Sequence, residues 1–151
     1  MKTLKNEIKI GGVGLHSGEE STLWMRPCGS AGIYFRNKSG LSAVTEAVVE
    51  EDSRLTGFSL PNGAVVRTAE HLLASIAGMG LEAVELELTG SEVPILDGSA
   101  FPFAEAIKNC GFEEIDGKRK KRAIAAPLFL EENDGGRLLA AAPAEKLTVT
   151  Y

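Results

Sequence analysis

The chain carries two histidines, His16 and His71, and His71 stands directly behind a carboxylate in the pair Glu70-His71. An imidazole next to a glutamate suits metal-assisted hydrolysis, where the nitrogen holds a divalent cation and the carboxylate takes a proton from water. Catalytic zinc commonly has three protein ligands and one open position. The H-E-x-x-H order of the metalloproteases is absent, and no second His follows His71 by one helical turn. The pair therefore also reads as the ordinary polar start of a helix. With Thr68 as N-cap, Glu70 and His71 take the second and third helical positions, where the helix dipole favours an anion over a cation. Neighbouring helical residues diverge by about 100°, so the two side chains can flank one pocket without competing for one ligand position.

Other chemistry-bearing groups are sparse. Gly11-Gly12-Val13-Gly14-Leu15-His16-Ser17-Gly18 fails the dinucleotide-loop pattern, because Ser17 stands at the third glycine and a strand follows instead of a helix. His16 is then a turn residue, either on a plain surface or at the rim of a site. Asp97 reads as a cap or loop-forming carboxylate. Cys28 and Cys110 are isolated, without C-x-x-C spacing, and are expected to be reduced, buried thiols. No G-x-S-x-G elbow or Cys/His arrangement supplies a nucleophile.

These residues need a scaffold, and the hydrophobic pattern outlines one. Residues 3–14 and Thr22–Arg26 form two β-rich runs around a glycine-containing turn, an antiparallel hairpin. Gly32–Arg36 is a third strand, residues 43–49 a weaker one, and Ala64–Val66 a short strand after the Pro61-Asn62-Gly63 turn. A helix is expected over 69–79, with Leu72, Leu73, Ile76 and Ala77 on its apolar face and Gly78 and Gly80 at its end. Val84, Leu86 and Leu88 alternate with Glu85 and Glu87 as a half-buried strand. A second helix spans 100–110, with Pro102 in its first turn, Phe103 and Ile107 on one face, and Gly111 closing it. Beyond Gly117, residues 123–130, 137–142 and 147–151 read as three strands, with a turn at Asn133-Asp134-Gly135-Gly136. The expectation is an α+β domain over 1–117, then a strand-rich segment over 118–151 that stops inside a strand pattern.

Composition narrows the class. Of 151 residues, 44% are apolar and 25% charged, which excludes disordered and collagen-like chains. No apolar run reaches the ~18–20 residues of a membrane span, and the charged start, Met1 to Glu7, has no signal-peptide core, so a cytoplasmic protein is the default. The net charge is −5, yet Lys118–Arg122 holds five basic residues in succession. Elsewhere 11 basic residues face 21 acidic ones, which argues against nucleic-acid binding through that run and for a solvated linker.

Three segments, taken in order and at their spacing, resemble the zinc-dependent UDP-3-O-acyl-N-acetylglucosamine deacetylases of lipid A biosynthesis. They are Gly12–Gly18, then Arg67-Thr68-Ala69-Glu70-His71-Leu72-Leu73-Ala74 with Gly78-Met79-Gly80, then Glu92-Val93-Pro94-Ile95-Leu96-Asp97-Gly98-Ser99-Ala100 with Pro102-Phe103. The resemblance runs from about residue 3 to the end. It implies two similar domains, each a two-layer sandwich of a small mixed or antiparallel sheet on two helices, with the site between them. Residues 1–117 would be the first domain and 118–151 the truncated start of the second. It further implies that Glu70 is the general base, His71 a zinc ligand, His16 a residue at the mouth of the site, and Leu55 and Thr56 part of a lining loop. Val93-Pro94 and Asp97-Gly98-Ser99 look like scaffold. The family's other zinc ligands, a His and an Asp one helical turn apart, have no counterpart here, since no His follows His71. The implied substrate is UDP-3-O-acyl-N-acetylglucosamine, with a separate C-terminal half, or self-association through the tail strands, as further partners. The rival reading is a non-catalytic binding or scaffold module of the same fold.

Overall fold

The alternation of Val84, Leu86 and Leu88 with Glu85 and Glu87 produces the strand on which the fold is assembled. The computed structural model describes residues 1–50, 55–117, 123–132 and 136–150; the basic run 118–122, Arg54, Asn133-Asp134-Gly135 and Tyr151 lie outside the described residues. The elements are β1 (Lys2–Leu4), β2 (Ile8–Val13), β3 (Glu20–Pro27), β4 (Gly32–Asn37), β5 (Gly40–Ala43), β6 (Val48–Val49), β7 (Phe58–Ser59), β8 (Val65–Val66), α1 (Glu70–Gly78), β9 (Ala83–Leu88), α2 (Phe101–Cys110), β10 (Phe112–Glu114), β11 (Leu128–Glu131) and β12 (Leu138–Ala141). They fall into two compact units, Met1–Arg119 and Lys120–Tyr151.

In the first unit, β4 runs parallel to β9 on one edge, in register from Gly32↔Ala83 to Arg36↔Glu87. β3 runs antiparallel on the other, from Leu23↔Leu88 to Pro27↔Val84, and β1 takes over that edge at Thr3↔Ala83. β2 pairs with β3, β5 with β4, and β10 with β1, giving a seven-stranded mixed sheet. β6, β7 and β8 form a separate antiparallel sheet, joined to the first by the edge-on contact of Phe58 with Phe35, 5.8 Å between ring centres.

One face of the large sheet carries Leu23, Met25, Phe35, Val84 and Leu86, and against these pack Leu72 and Ile76 from α1 and Phe103 and Ile107 from α2, all buried in one cluster. The other face is charged. Arg36 bonds Glu85, Arg26 reaches Glu87 at 2.6 Å, and Lys9 and Arg26 lie over the Trp24 ring. The first unit is thus the expected α+β sandwich of two helices on a mixed sheet.

Both helices end on the glycine signals. Gly80 adopts φ 67° after α1, its N–H bonding Ala77 O while Leu81 N–H bonds Ile76 O, the paired return bonds of a Schellman stop. Gly111, at φ 80°, closes α2.

Several expectations are corrected. Ala77 is exposed, whereas Leu72, Ser75 and Ile76 are buried and Leu73 is partly buried against the same core. Residues 43–49 do not form one strand; a 3₁₀ turn over Val44–Glu46 divides β5 from β6. Both cysteines are free but half-buried, with Cys110 Sγ accepting from Asn6 N–H at 3.3 Å. In the second unit β11 starts only at Leu128, and residues 147–150 form no strand. Among the described residues of that unit the strands are β11 and β12, paired antiparallel from Leu128↔Ala141 to Glu131↔Leu138, with Leu128, Phe129, Leu130, Leu138 and Leu139 exposed.

Among the described residues no helix is long and apolar enough to cross a membrane. Because Leu72 is completely buried between α1 and the sheet, Leu72→Ala should cost about 2–5 kcal/mol in urea unfolding, whereas the exposed Ala77→Ser should stay within about 0.5 kcal/mol.

Candidate active site

Glu70 and His71 are the first two residues of α1, so their placement depends on how the chain enters that helix. Thr68 does not cap it. The half-turn residue is Ala69, no side chain caps the helix, and Thr68 stands at φ 53°, in the left-handed region. For a β-branched residue that conformation costs about 1–3 kcal/mol and persists only where neighbours over-determine it.

The neighbours are identifiable. Arg67 N–H bonds Ser91 O at 2.8 Å and Val93 N–H bonds Arg67 O at 3.0 Å, a one-residue parallel bridge between Arg67 and Glu92. Ala69 N–H bonds Thr56 O at 3.2 Å. The Thr68 hydroxyl, turned away from the helix, donates to Glu92 Oε1 at 2.7 Å.

Glu92 is the centre of this arrangement and is 3% exposed. Its Oε1 also accepts from His16 N–H at 3.0 Å, and its Oε2 from Ser17 N–H at 2.8 Å. Among the described residues its partners are all uncharged donors. Burial alone would push its pKa up; the His16 N–H, the Ser17 hydroxyl, the Thr68 hydroxyl and the Ser17 N–H outweigh burial and bring it from 4.5 to about 2. Gly14 is required by the same carboxylate. A Cβ there would fall inside contact distance of both Glu92 and the Ser17 hydroxyl. The turn it begins is closed by Gly14 N–H to Glu19 O and Gly18 N–H to Gly14 O, each 3.0 Å.

The structure thus gathers most of the residues singled out from sequence. His16 is an exposed turn residue whose backbone is tied through Glu92 to Thr68. Thr56 is exposed and bonds the entrance of α1 through its carbonyl, while half-buried Leu55 lies beside Gly57. Asp97 is separate from this cluster; its Oδ1 accepts from the Ser99 N–H and hydroxyl, both at 2.9 Å, a loop-forming role as expected. Two cavities among the described residues, one lined by residues such as Phe35 and Ser91 and the other by Gly11–Val13 and Glu20–Thr22, do not contain Glu70 or His71.

Glu70 Oε2 is buried and has no hydrogen-bond partner among the described residues. An unpartnered buried carboxylate oxygen is costly and is an acceptor available to a water or a bound group. Beside it stands one half-buried imidazole, His71. Among the described residues no three His, Cys, Asp or Glu side chains come together to hold a metal ion. A catalytic zinc therefore does not fit the described residues alone, which gather no set of three ligands around His71.

Sequence reasoning quoted Glu92 in a motif but gave it no role. The one signal in the sequence was a glycine, Gly14, just beyond the strand that already holds Gly11 and Gly12.

Comparison with known proteins decides the affiliation. The family described as "LpxC: UDP-3-O-acyl N-acetylglycosamine deacetylase" matches over residues 1–151. The chain belongs to this deacetylase family. Among similar curated proteins, the UDP-3-O-acyl-N-acetylglucosamine deacetylase of Pseudomonas entomophila (strain L48) is 44% identical over 140 residues, covering 88% of this chain and 45% of the relative. That of Geotalea uraniireducens (strain Rf4) is 39% identical over 139 residues, with the same coverage. The protein of that name from Xanthomonas oryzae pv. oryzae (strain PXO99A) is 36% identical over 150 residues, covering 95% of this chain and 48% of the relative. The chain spans about half the length of the curated relatives it matches.

A carboxylate whose pKa falls on folding stabilises the native state above its unfolded value and loses that contribution as pH drops through the folded value. For Glu92 the window is pH 4.5 down to about 2. The stability difference between the native chain and Glu92→Gln should therefore shrink by on the order of 3 kcal/mol across that window, read from urea midpoints at a series of pH values.

Proposed function

We propose that this chain takes part in hydrolysing the N-acetyl group of UDP-3-O-acyl-N-acetylglucosamine, a step of lipid A biosynthesis, with Glu70 as the general base. Water adds to the acetamide carbonyl carbon as Glu70 takes one of its protons. Collapse of the tetrahedral intermediate breaks the C–N bond, and the departing nitrogen is protonated, leaving acetate and a free amine on the sugar. The observation that carries this reading is the buried, unpartnered Oε2 of Glu70 in the first turn of α1. His71 is assigned as one ligand of the family's zinc, whose other ligands would come from outside the described residues. His16, Leu55 and Thr56 are assigned to the rim that receives the substrate, in keeping with the ties of His16 and Thr56 to the entrance of α1.

Residues 1–117 then form the first domain of the enzyme and 118–151 the start of a second, whose apolar hairpin would be covered by the remainder or by another copy. The relatives are more than twice as long as the segment they share with this chain, which supports the two-part reading. A non-catalytic module of the same fold is the second reading, favoured by the lack of a three-ligand cluster among the described residues.

The two separate in one assay. Acetate release from UDP-3-O-acyl-N-acetylglucosamine should require this chain together with the C-terminal portion of a relative, and neither part alone should release it. Glu70→Gln should lower the rate of the mixture by roughly 10²–10⁴-fold, and His71→Ala should abolish zinc retention. A mixture that is inactive and retains no zinc establishes the non-catalytic module instead.

A further inference from the structure

We propose that Glu92 is a positioning residue: by binding the His16–Ser17 backbone and the Thr68 hydroxyl at once, it sets the turn that carries His16 against the entrance of the helix that carries Glu70 and His71. The proposal deepens the substrate-site reading above, and its functional half rests on that reading.

Two segments far apart in sequence converge on the carboxylate of a third. Residues 16 and 17 lie 76 and 75 positions before Glu92, and Thr68 lies 24 before it. The turn's remaining backbone bonds are internal, between Gly14, Gly18 and Glu19, or lead from its base through Ile95 N–H to Val13 O. Its described link to Thr68 therefore runs through Glu92.

The chemistry demands an ionised carboxylate. Oε1 accepts two bonds and Oε2 at least one, all from donors without charge. Gln offers one acceptor oxygen and would turn an NH₂ toward a donor. Asp is one methylene shorter and cannot span the same two segments. A residue needed only to fill this space would not require that acceptor pattern.

The cost of Thr68 points the same way. A left-handed threonine is tolerated where its hydroxyl has a destination that a helical cap would not provide, and here that destination is Glu92. The entrance of α1 is displaced by one residue from the capped start expected of the sequence, which makes Glu70 the first helical residue.

Amide hydrogen exchange on the full 151-residue chain tests the clamp. In Glu92→Gln, the His16 and Ser17 amides should exchange roughly tenfold faster, the factor corresponding to one lost hydrogen bond, while the amides of Leu73 to Ala77 stay within about twofold. Thr68→Val, which keeps shape and loses the hydroxyl, should move the same two amides in the same direction, and Thr68→Ser should restore them. Thr68→Val decides the matter if Glu92→Gln does not fold.

Titration with UDP-3-O-acyl-N-acetylglucosamine, followed through the backbone amide resonances of residues 14–18, tests the consequence. Glu92→Gln should weaken binding several-fold, and should weaken it no further in a His16→Ala background. Unchanged His16 and Ser17 exchange in both single variants, or an equal rise throughout α1, overturns the proposal. Multiplicative effects of Glu92→Gln and His16→Ala on binding also overturn it. If exchange changes as expected but His16→Ala binds the substrate like the native chain, or the native chain shows no shift, the substrate role of His16 fails while the clamp stands.

Discussion

A buried carboxylate with no cationic partner among the described residues organises the part of this protein that carries its reactive groups. Taking an anion out of water is costly by several kcal/mol even after relaxation, and Glu92 is accommodated because its hydrogen bonds from backbone N–H and hydroxyl groups replace the lost hydration. Such bonds to a charged acceptor are worth about 1.5–3 kcal/mol each, but only if every donor is in place. The arrangement is therefore all-or-none. It fixes the His16 turn and the peptide leading into α1 as one object, although the two belong to different layers of sequence and different elements.

The sheet and helices supply the frame for that object. β9 is covered on both edges, and the apolar cluster joins its inner face to α1 and α2. α1 cannot shift without disturbing Leu72 and Ile76, so the direction in which Glu70 and His71 leave the helix is inherited from the core. The loop before α1 supplies what the core cannot, the height at which the helix begins. The Oε2 of Glu70 is where the two constraints meet, a buried acceptor with no hydrogen-bond partner among the described residues.

Much of the fold was legible because it rests on local, periodic signals. The alternation in β9, the Leu72/Ile76 and Phe103/Ile107 spacings, Pro102 and the glycines after each helix predict elements that the structure contains within one or two residues. What was not legible depends on pairing at a distance. β1 is three residues long and exists because Ala83 and Phe112 lie on either side of it. β7 is two residues between β6 and β8. The run 43–49 is only a weak strand candidate by composition, and the chain turns at Val44–Glu46 between the two sheets. At the site, Glu70 and His71 were recognisable by type, and the family pattern gave them roles. Thr68 was misread because a threonine before a helix is a cap by default, and only the position of Glu92, 24 residues away, redirects its hydroxyl. Glu92 itself looks, in sequence, like one more surface glutamate in an acidic chain.

Thr68 stands under two opposed demands, and that gives the position an unusual substitution profile. Backbone geometry at φ 53° favours glycine or asparagine, while the carboxylate opposite favours a hydroxyl. A glycine would relax the peptide and leave Glu92 one donor short; a valine would keep the strain and lose the donor as well. Ordinary consensus or Gly-for-strain engineering, which treats local conformation as the quantity to optimise, would choose the wrong residue here. The residue that is worst for its own backbone is the one that holds two distant loops in register.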